Sequence, residues 1–362
     1  MMNIDLHYLN TNKVNLLNFD RKKMQNFMHL IDEKSFRADQ LMHWIYQRFC
    51  NNFSYMTNFT ECLKNKLKNT SFIQFPYILK EIVSIDHTIK WLISVQNGII
   101  ETIYIPEKKR GTLCISSQVG CPLTCTFCAT GMQGFKRNLL VSEIVGQIWL
   151  AYQKINNNTK HVYFPITNIV FMGMGEPLLN LKNLITALNI ISDTCGFNIS
   201  KKKIVISTAG IIPALNKLSK ICDVKLAISL HASNNTIRNR LMPINKRYNI
   251  QSLLKTVLRF LQNSKLNKNG ITIEYIMLHN INDSIVHAKE LIKLLYNIPS
   301  KINLIPWNYL PNSHLKCSSI TKINIFSKYL INKGLMTTIR KTRGQDIQAA
   351  CGQLTGNNNY KS

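Results

Sequence analysis

The stretch QVGCPLTCTFCATG, residues 118–131, sets three cysteines close together, at Cys121, Cys125 and Cys128. It follows a candidate strand, TLCISS (112–117), so the thiols fall on a loop just past a strand. Loops of this kind wrap iron–sulfur clusters, because several soft thiolates must converge on one small inorganic core. Zinc is the competing reading. Tetrahedral zinc takes four ligands, usually as two separated pairs, and no fourth ligand stands nearby. Three thiolates on a four-iron cluster leave one iron open for the amino and carboxylate groups of a small molecule.

This spacing, with Phe127 before the last cysteine, resembles that of the radical S-adenosylmethionine superfamily. Outward from it, strands and helices alternate. After TLCISS come NIVFM (168–172), KIVIS (203–207), KLAISL (225–230), ITIEYIM (271–277), INLI (302–305) and TTIR (337–340). Helical patterns such as VSEIVGQIWLAY and QSLLKTVLRFLQ separate them. The alternation predicts an α/β fold with a parallel sheet, open or rolled into a barrel. In both, ligands sit at the C-terminal ends of the strands. Polar residues fall at that rim: Glu176 in GMGEP (173–177), Ser207 in ISTAG, Ser229 and His231 in SLHAS, and Asn308 in PWN. The glycines of GMGEP allow a close backbone approach, and Glu176 can accept from a cationic amino group. Each alone reads equally well as a turn or capping residue; together they line a small-molecule site.

Upstream, the first 80 residues read as short helices. In SFRADQLMHWIYQRF, Leu41, Trp44, Ile45 and Phe49 recur at helical spacing, and Phe27 and Leu30 belong to an earlier segment of the same kind. KWLISV and IIETIYI then flank Asn97-Gly98, a strong hairpin signal that puts Glu101 on a strand. The formal net charge is +27, of which residues 1–97 carry +4 and residues 98–362 carry +23. Such an excess fits a polyanion partner, most simply RNA or DNA. Compositional drift competes with that reading, since Asn, Lys and Ile abound even in loops such as NNNTK. Ten cysteines, unevenly placed, do not make a disulfide framework. Cys50, Cys62, Cys195, Cys222 and Cys317 read as small hydrophobes. Cys114 and Cys351 lack cluster spacing and read first as structural thiols, although both lie where they can reach the barrel mouth. No apolar stretch reaches the ~18 residues of a membrane span, and MMNIDLHYLNTNK lacks the order of a secretion signal. A reducing, cytoplasmic setting is the expectation.

The segments GTLCISSQVGCPLTCTFC, GFKRNL, MGMGEPLLN, SLHAS, RKTRGQDIQAACGQL and FRADQLMHWIY resemble the bacterial dual-specificity rRNA/tRNA adenine-C2 methyltransferases over nearly the whole chain. The resemblance implies a partial (β/α)6-type barrel with a small N-terminal helical domain. Its domains would be a helical RNA-binding unit at 1–80, a β-hairpin linker at 81–106, the barrel at 107–350, and a C-terminal segment at 351–362 carrying Cys351. It also implies a 4Fe-4S cluster on Cys121, Cys125 and Cys128. Glu176, Ser207, Ser229, His231 and Asn308 would contact S-adenosylmethionine, as would Gly175 and Leu230 through their backbone. By the same resemblance, one S-adenosylmethionine methylates Cys351. A second is cleaved to a radical that activates the methyl group, which then adds to adenine C2. Glu101 removes the C2 proton, and Cys114 attacks Cys351 to release product as a disulfide forms.

Implied partners are 23S rRNA, tRNA, an external electron donor of flavodoxin type and a thiol reductant; the protein is expected as a monomer with no membrane partner. The departures are mild: the residues between the ligands vary, and Gln345 stands where the family often has an acid. A relative that methylates C8 of the same rRNA adenine shares nearly every motif, and the developed N-terminal unit favours C2. A non-catalytic RNA-binding protein with structural zinc is the reading from another class. It would need neither Cys114 nor Cys351.

Overall fold

The computed structural model describes residues 13–108, 110–156, 165–311 and 313–356. The leader reading at residues 1–12, most of the NNNTK loop and the last six residues of the C-terminal segment lie outside these.

Three helices open the chain, α1 (Arg21–Leu30), α2 (Phe36–Tyr46) and α3 (Glu61–Thr70), clasped by a parallel pair of two-residue strands, β1 (Val14–Asn15) and β2 (Ser71–Phe72). Asp20 and Thr60 cap α1 and α3 by accepting from the backbone N–H groups of Lys23 and Leu63. The expected apolar stripe is buried at Phe27, Leu41 and Ile45, with Trp44 and Phe49 packed at its edge. The helices are not a separate bead. The Trp149 indole N–H donates to the Ile45 carbonyl at 2.9 Å, and Arg21 pairs with Asp193 at 2.8 Å.

One ten-stranded sheet carries the rest. Its antiparallel part comprises β3 (Tyr77–Val83), β4 (Ile89–Val95), β5 (Gly98–Glu107) and β6 (Arg110–Cys114). The β4–β5 hairpin turns one residue earlier than its Asn97-Gly98 signal predicts. Val95 pairs with Gly98, and Asn97 takes the left-handed turn position at φ 54°, which asparagine tolerates. Segment 81–106 does more than connect, since β5 pairs with β6 and extends the sheet.

From β6 the sheet becomes parallel. β9 (Ile166–Phe171), β10 (Ile204–Thr208), β11 (Lys225–Ser229), β12 (Ile271–Met277), β13 (Ser300–Pro306) and β14 (Thr337–Ile339) follow in chain order, each beside the last. All seven expected parallel strands are present, and the sheet forms the partial barrel. The strands alternate with helices including α5 (Val141–Asn156), α6 (Leu181–Ser192), α7 (Ile212–Ile221), α9 (Ile250–Asn263), α10 (Ile285–Leu295) and α11 (Ile320–Asn332). Between β11 and α9 lies a shorter helix, α8 (Asn235–Leu241). Helix α9 buries Ile250, Leu253, Val257 and Phe260 along one face, and Asn249 caps it. Because the strands follow one another in chain order, these helices lie on one side of the sheet, the outside of the barrel, and the inner face lines the site. A small ribbon of β7 (Gln118–Gly120) and β8 (Phe135–Asn138) brackets the cysteine loop, and the four-residue α4 (Ala129–Met132) follows Cys128. Among the described residues, no helix is long and apolar enough to cross a membrane.

Candidate active site

The cysteine loop is fixed at both ends and in its middle. The Cys121 N–H donates to the Gly134 carbonyl at 2.9 Å, tying the loop to the β7–β8 ribbon. Gly120 makes this possible: its φ is +73°, and a Cβ there would lie 1.9 Å from the Gly134 oxygen. The Thr126 N–H donates to Leu241 O, and that of Ala129 to Gly352 O at 2.7 Å. Thr130 Oγ1 donates to Leu354 O at 2.6 Å. The loop is thus held by the chain's C-terminal segment.

Burial pushes the Cys121 thiol up to about 12 and the Cys125 thiol well above its ordinary value, where Cys128 and Cys121 add to the effect. Protons held this tightly leave only when a cationic centre replaces them. Among the described residues, no three His, Cys, Asp or Glu side chains converge tightly enough for a single metal ion. Three mutually interacting thiols without a fourth ligand suit a larger multi-iron core better than zinc.

The GMGEP segment packs against residues after β6. A Cβ on Gly173 would meet the Ile115 carbonyl at 2.7 Å, and one on Gly175 would meet the Gln118 side chain at 2.4 Å. Gln118 Oε1 accepts from the Glu176 N–H at 2.8 Å. The buried Glu176 carboxylate accepts from Thr208 Oγ1 at 2.6 Å, Ala209 N at 2.8 Å and Leu178 N at 3.1 Å. Burial raises its pKa, and these donors oppose that rise.

At the next strand ends, Ser207 and Ser229 face each other with their hydroxyls 3.4 Å apart. The Leu230 and His231 N–H groups donate to Glu274 O. His231 Nδ1 accepts from the Ile276 N–H at 3.1 Å, and its ring meets Phe127 edge-on at 4.9 Å. Burial, aided by Arg238, pushes this imidazole down to about 3, so it stays a neutral acceptor. Trp307 donates from its ring N–H to Phe127 O at 3.2 Å. Sequence reasoning missed Arg238, which is fully buried on α8. It donates to the carbonyls of Ala209, Ser229 and Leu230 and so cross-ties the ends of β10 and β11.

Cys114 and Cys351, read separately in the sequence, line one cavity of about 320 Å³ with Asn308, Asn303 and Arg340. Asn308 Nδ2 donates to Cys351 O at 3.1 Å. The Arg340 guanidinium lies beside Cys351, and the pull of Cys351, then of Glu274 and Cys114, raises its pKa against the cost of burial. Arg340 ends the TTIR strand, so the rule about strand ends was signal enough to find it. Glu101 lies directly behind this lining, two residues before the cavity-lining Ile103 on the same face of β5. Wholly buried, its Oε1 accepts from the Thr355 and Gly356 N–H groups at 3.1 and 2.8 Å, and its Oε2 lies 3.5 Å from Lys90 Nζ.

Residues 14–73 match the family described as the ribosomal RNA large subunit methyltransferase N-terminal domain, and residues 115–292 match the radical SAM superfamily. The chain is 55% identical to the dual-specificity RNA methyltransferase RlmN of Buchnera aphidicola subsp. Schizaphis graminum (strain Sg), over 98% of this chain and 97% of that one. It is 58% identical to the namesake in Buchnera aphidicola subsp. Cinara cedri (strain Cc), over 94% and 96%. Among solved structures, a radical SAM methyltransferase from Sphaerobacter thermophilus superimposes with a TM-score of 0.88 at 34% identity, covering 95% of this chain and 100% of that one.

Proposed function

Because the chain belongs to the dual-specificity RNA methyltransferases of the radical S-adenosylmethionine superfamily, we propose that it methylates C2 of an adenine in 23S rRNA, and of an adenine in some tRNAs, through a methyl group carried on Cys351. Membership brings a 4Fe-4S cluster and S-adenosylmethionine, and the half-buried thiols of Cys121, Cys125 and Cys128 on one loop fit the cluster. When bound, these groups would supply one-electron chemistry, both the reductive cleavage and an acceptor for the electron that the RNA adduct must lose, which C2 requires because a carbon between two ring nitrogens is too electron-poor to attack a methyl sulfonium.

The chain's own residues supply the rest. Glu176, Ser207, Ser229, His231 and Asn308, with backbone at Gly175 and Leu230, hold S-adenosylmethionine at the strand ends. Cys351 bears the transferred carbon and is covalently joined to C2 during the reaction. Glu101 takes the C2 proton. The Cys114 thiol then gives up its proton and its sulfur bonds to that of Cys351 as the Cys351–carbon bond breaks; the electron pair of that bond stays with the carbon, which takes up a proton to become the methyl group, and a thiol reductant resets the disulfide. An external electron donor of flavodoxin type, a reducing cytoplasm and a monomeric state complete this reading.

The observation that carries it is the single cavity shared by Cys114, Cys351 and Arg340. A structural-zinc RNA-binding protein has no use for two further thiols meeting beside an arginine. Mass spectrometry of digested 23S rRNA and tRNA, from cells with and without the protein, is expected to give protein-dependent 2-methyladenosine. 8-Methyladenosine in its place, or no change, would overturn the assignment.

A further inference from the structure

Lys90 is a fully buried cation on β4, and it ties together two parts of the site that lie far apart in sequence. Its Nζ stands 3.5 Å from Glu101 Oε2, with both side chains wholly out of solvent. It also donates to the Gln348 carbonyl at 3.2 Å. The register of β4 and β5 sets Lys90 opposite Ile103 and Leu92 opposite Glu101, so the two charged groups sit diagonally on one face of the ribbon. Glu101 Oε1 in turn accepts from the Thr355 and Gly356 N–H groups. Gln348 lies before Cys351 in sequence, and Thr355 and Gly356 lie after it. One ion pair therefore grips the Cys351 segment on both sides. Backbone strain marks the grip: Gln348 has φ +51°, and Gly356 at φ +63° passes so close to Ile99 that a Cβ would meet its carbonyl oxygen at 2.3 Å.

The two carboxylate oxygens differ. Oε1 holds two backbone donors, whereas Oε2 meets the Lys90 ammonium at 3.5 Å as an ion pair without a well-aligned hydrogen bond. A buried ion pair is a poor route to stability, since apolar residues of similar volume often do as well. Its geometry suggests another use.

We propose that Lys90 is a positioning residue for product release, holding Glu101 and the Cys351 segment in one frame so that Oε2 receives the C2 proton. This rests on the reading of Glu101 as the base. In the step, the C2–H bond of the RNA–Cys351 adduct breaks, its proton passes to Glu101 Oε2, and its electron pair stays with the ring. Lys90 balances the carboxylate before the transfer and anchors Gln348 throughout. It touches neither RNA nor cofactor.

The test uses the full chain with its cluster, S-adenosylmethionine and an rRNA fragment, with Lys90→Met, Lys90→Gln, Lys90→Arg and Glu101→Gln. Adduct formation is read as the RNA–protein band on denaturing gels and as 5′-deoxyadenosine released in the first turnover. Release is read as methylated free RNA. Lys90→Met is expected to release product about tenfold or more slowly, because small misplacements of a reacting group carry penalties of this size, and to slow adduct formation far less, because the Thr355 and Gly356 N–H groups still hold the Cys351 segment to Glu101. Deuterium at C2 should slow its release further, and Lys90→Arg should restore most of the rate. Lys90→Gln is read the same way if Lys90→Met loses its cooperative melt. Adduct formation and release falling together, or release at the wild-type rate, would overturn the inference. If Glu101→Gln accumulates adduct while the Lys90 variants do not, only the positioning role falls. Should Glu101→Gln release product normally, the base assignment falls first.

Discussion

At Cys114, burial pushes the thiol up to about 12; the nearby Cys351 adds to the rise, and Arg340 works against it. Once Cys351 is alkylated it becomes a neutral thioether, and its opposition to a Cys114 thiolate disappears while Arg340 remains. On the proposed route, the Cys114 thiol is therefore easier to deprotonate once Cys351 carries the carbon, although burial still opposes it. Two predictions belong to this pair. Cys114→Ala should form the RNA adduct but not resolve it, so a protein–RNA band persists on denaturing gels; normal turnover would refute the disulfide step. Cys351→Ala should give no methylated RNA and no adduct while iron and sulfide content stays at the wild-type level. The grouping of Cys121, Cys125 and Cys128 on one loop was legible because it is local in sequence. The meeting of Cys114 with Cys351, and of Lys90 with Glu101, was not, since each depends on register or on the return of a distant segment. Resemblance alone supplied roles for three of these four residues, and nothing in KWLISV marked the buried lysine as the fourth.

The parallel strands were readable because each is a short apolar run between helical patterns, and the register then puts their polar C-terminal residues at one rim. The β7–β8 ribbon was not: three residues of strand carry too little pattern to show. Yet this ribbon aims the first cysteine. Gly120→Val puts a branched side chain at φ +73°, against the Gly134 oxygen that accepts from Cys121 N–H. The strain is of order 1–3 kcal/mol locally, too little to unfold a chain of this size. Circular dichroism should therefore stay native while iron and sulfide per chain drop well below wild type after anaerobic reconstitution. Full cluster content in this variant would show that the ribbon does not aim the ligand.

Across the whole molecule, the sheet runs unbroken from the β3 edge to β14, and the N-terminal helices lean on the barrel's outer helices through Trp149 and Arg21. The +27 charge, most of it beyond residue 97, is the remaining whole-molecule quantity. Drift toward Lys and Asn scatters charge without arranging it, whereas an RNA-binding face concentrates cations against phosphates. Exposed groups such as Lys201, Lys202 and Lys203 exist under both accounts, so composition does not separate them. Salt does. Each phosphate neutralised in the complex releases counterions, so a face making six or more phosphate contacts should lose roughly a thousandfold in affinity for an rRNA fragment between about 50 and 200 mM salt. Filter binding at several salt concentrations measures the slope. A shallow slope would mean that few of these cations meet RNA and that most of the charge is compositional. Turnover would then depend on shape and base contacts around the Cys351 cavity far more than on long-range attraction.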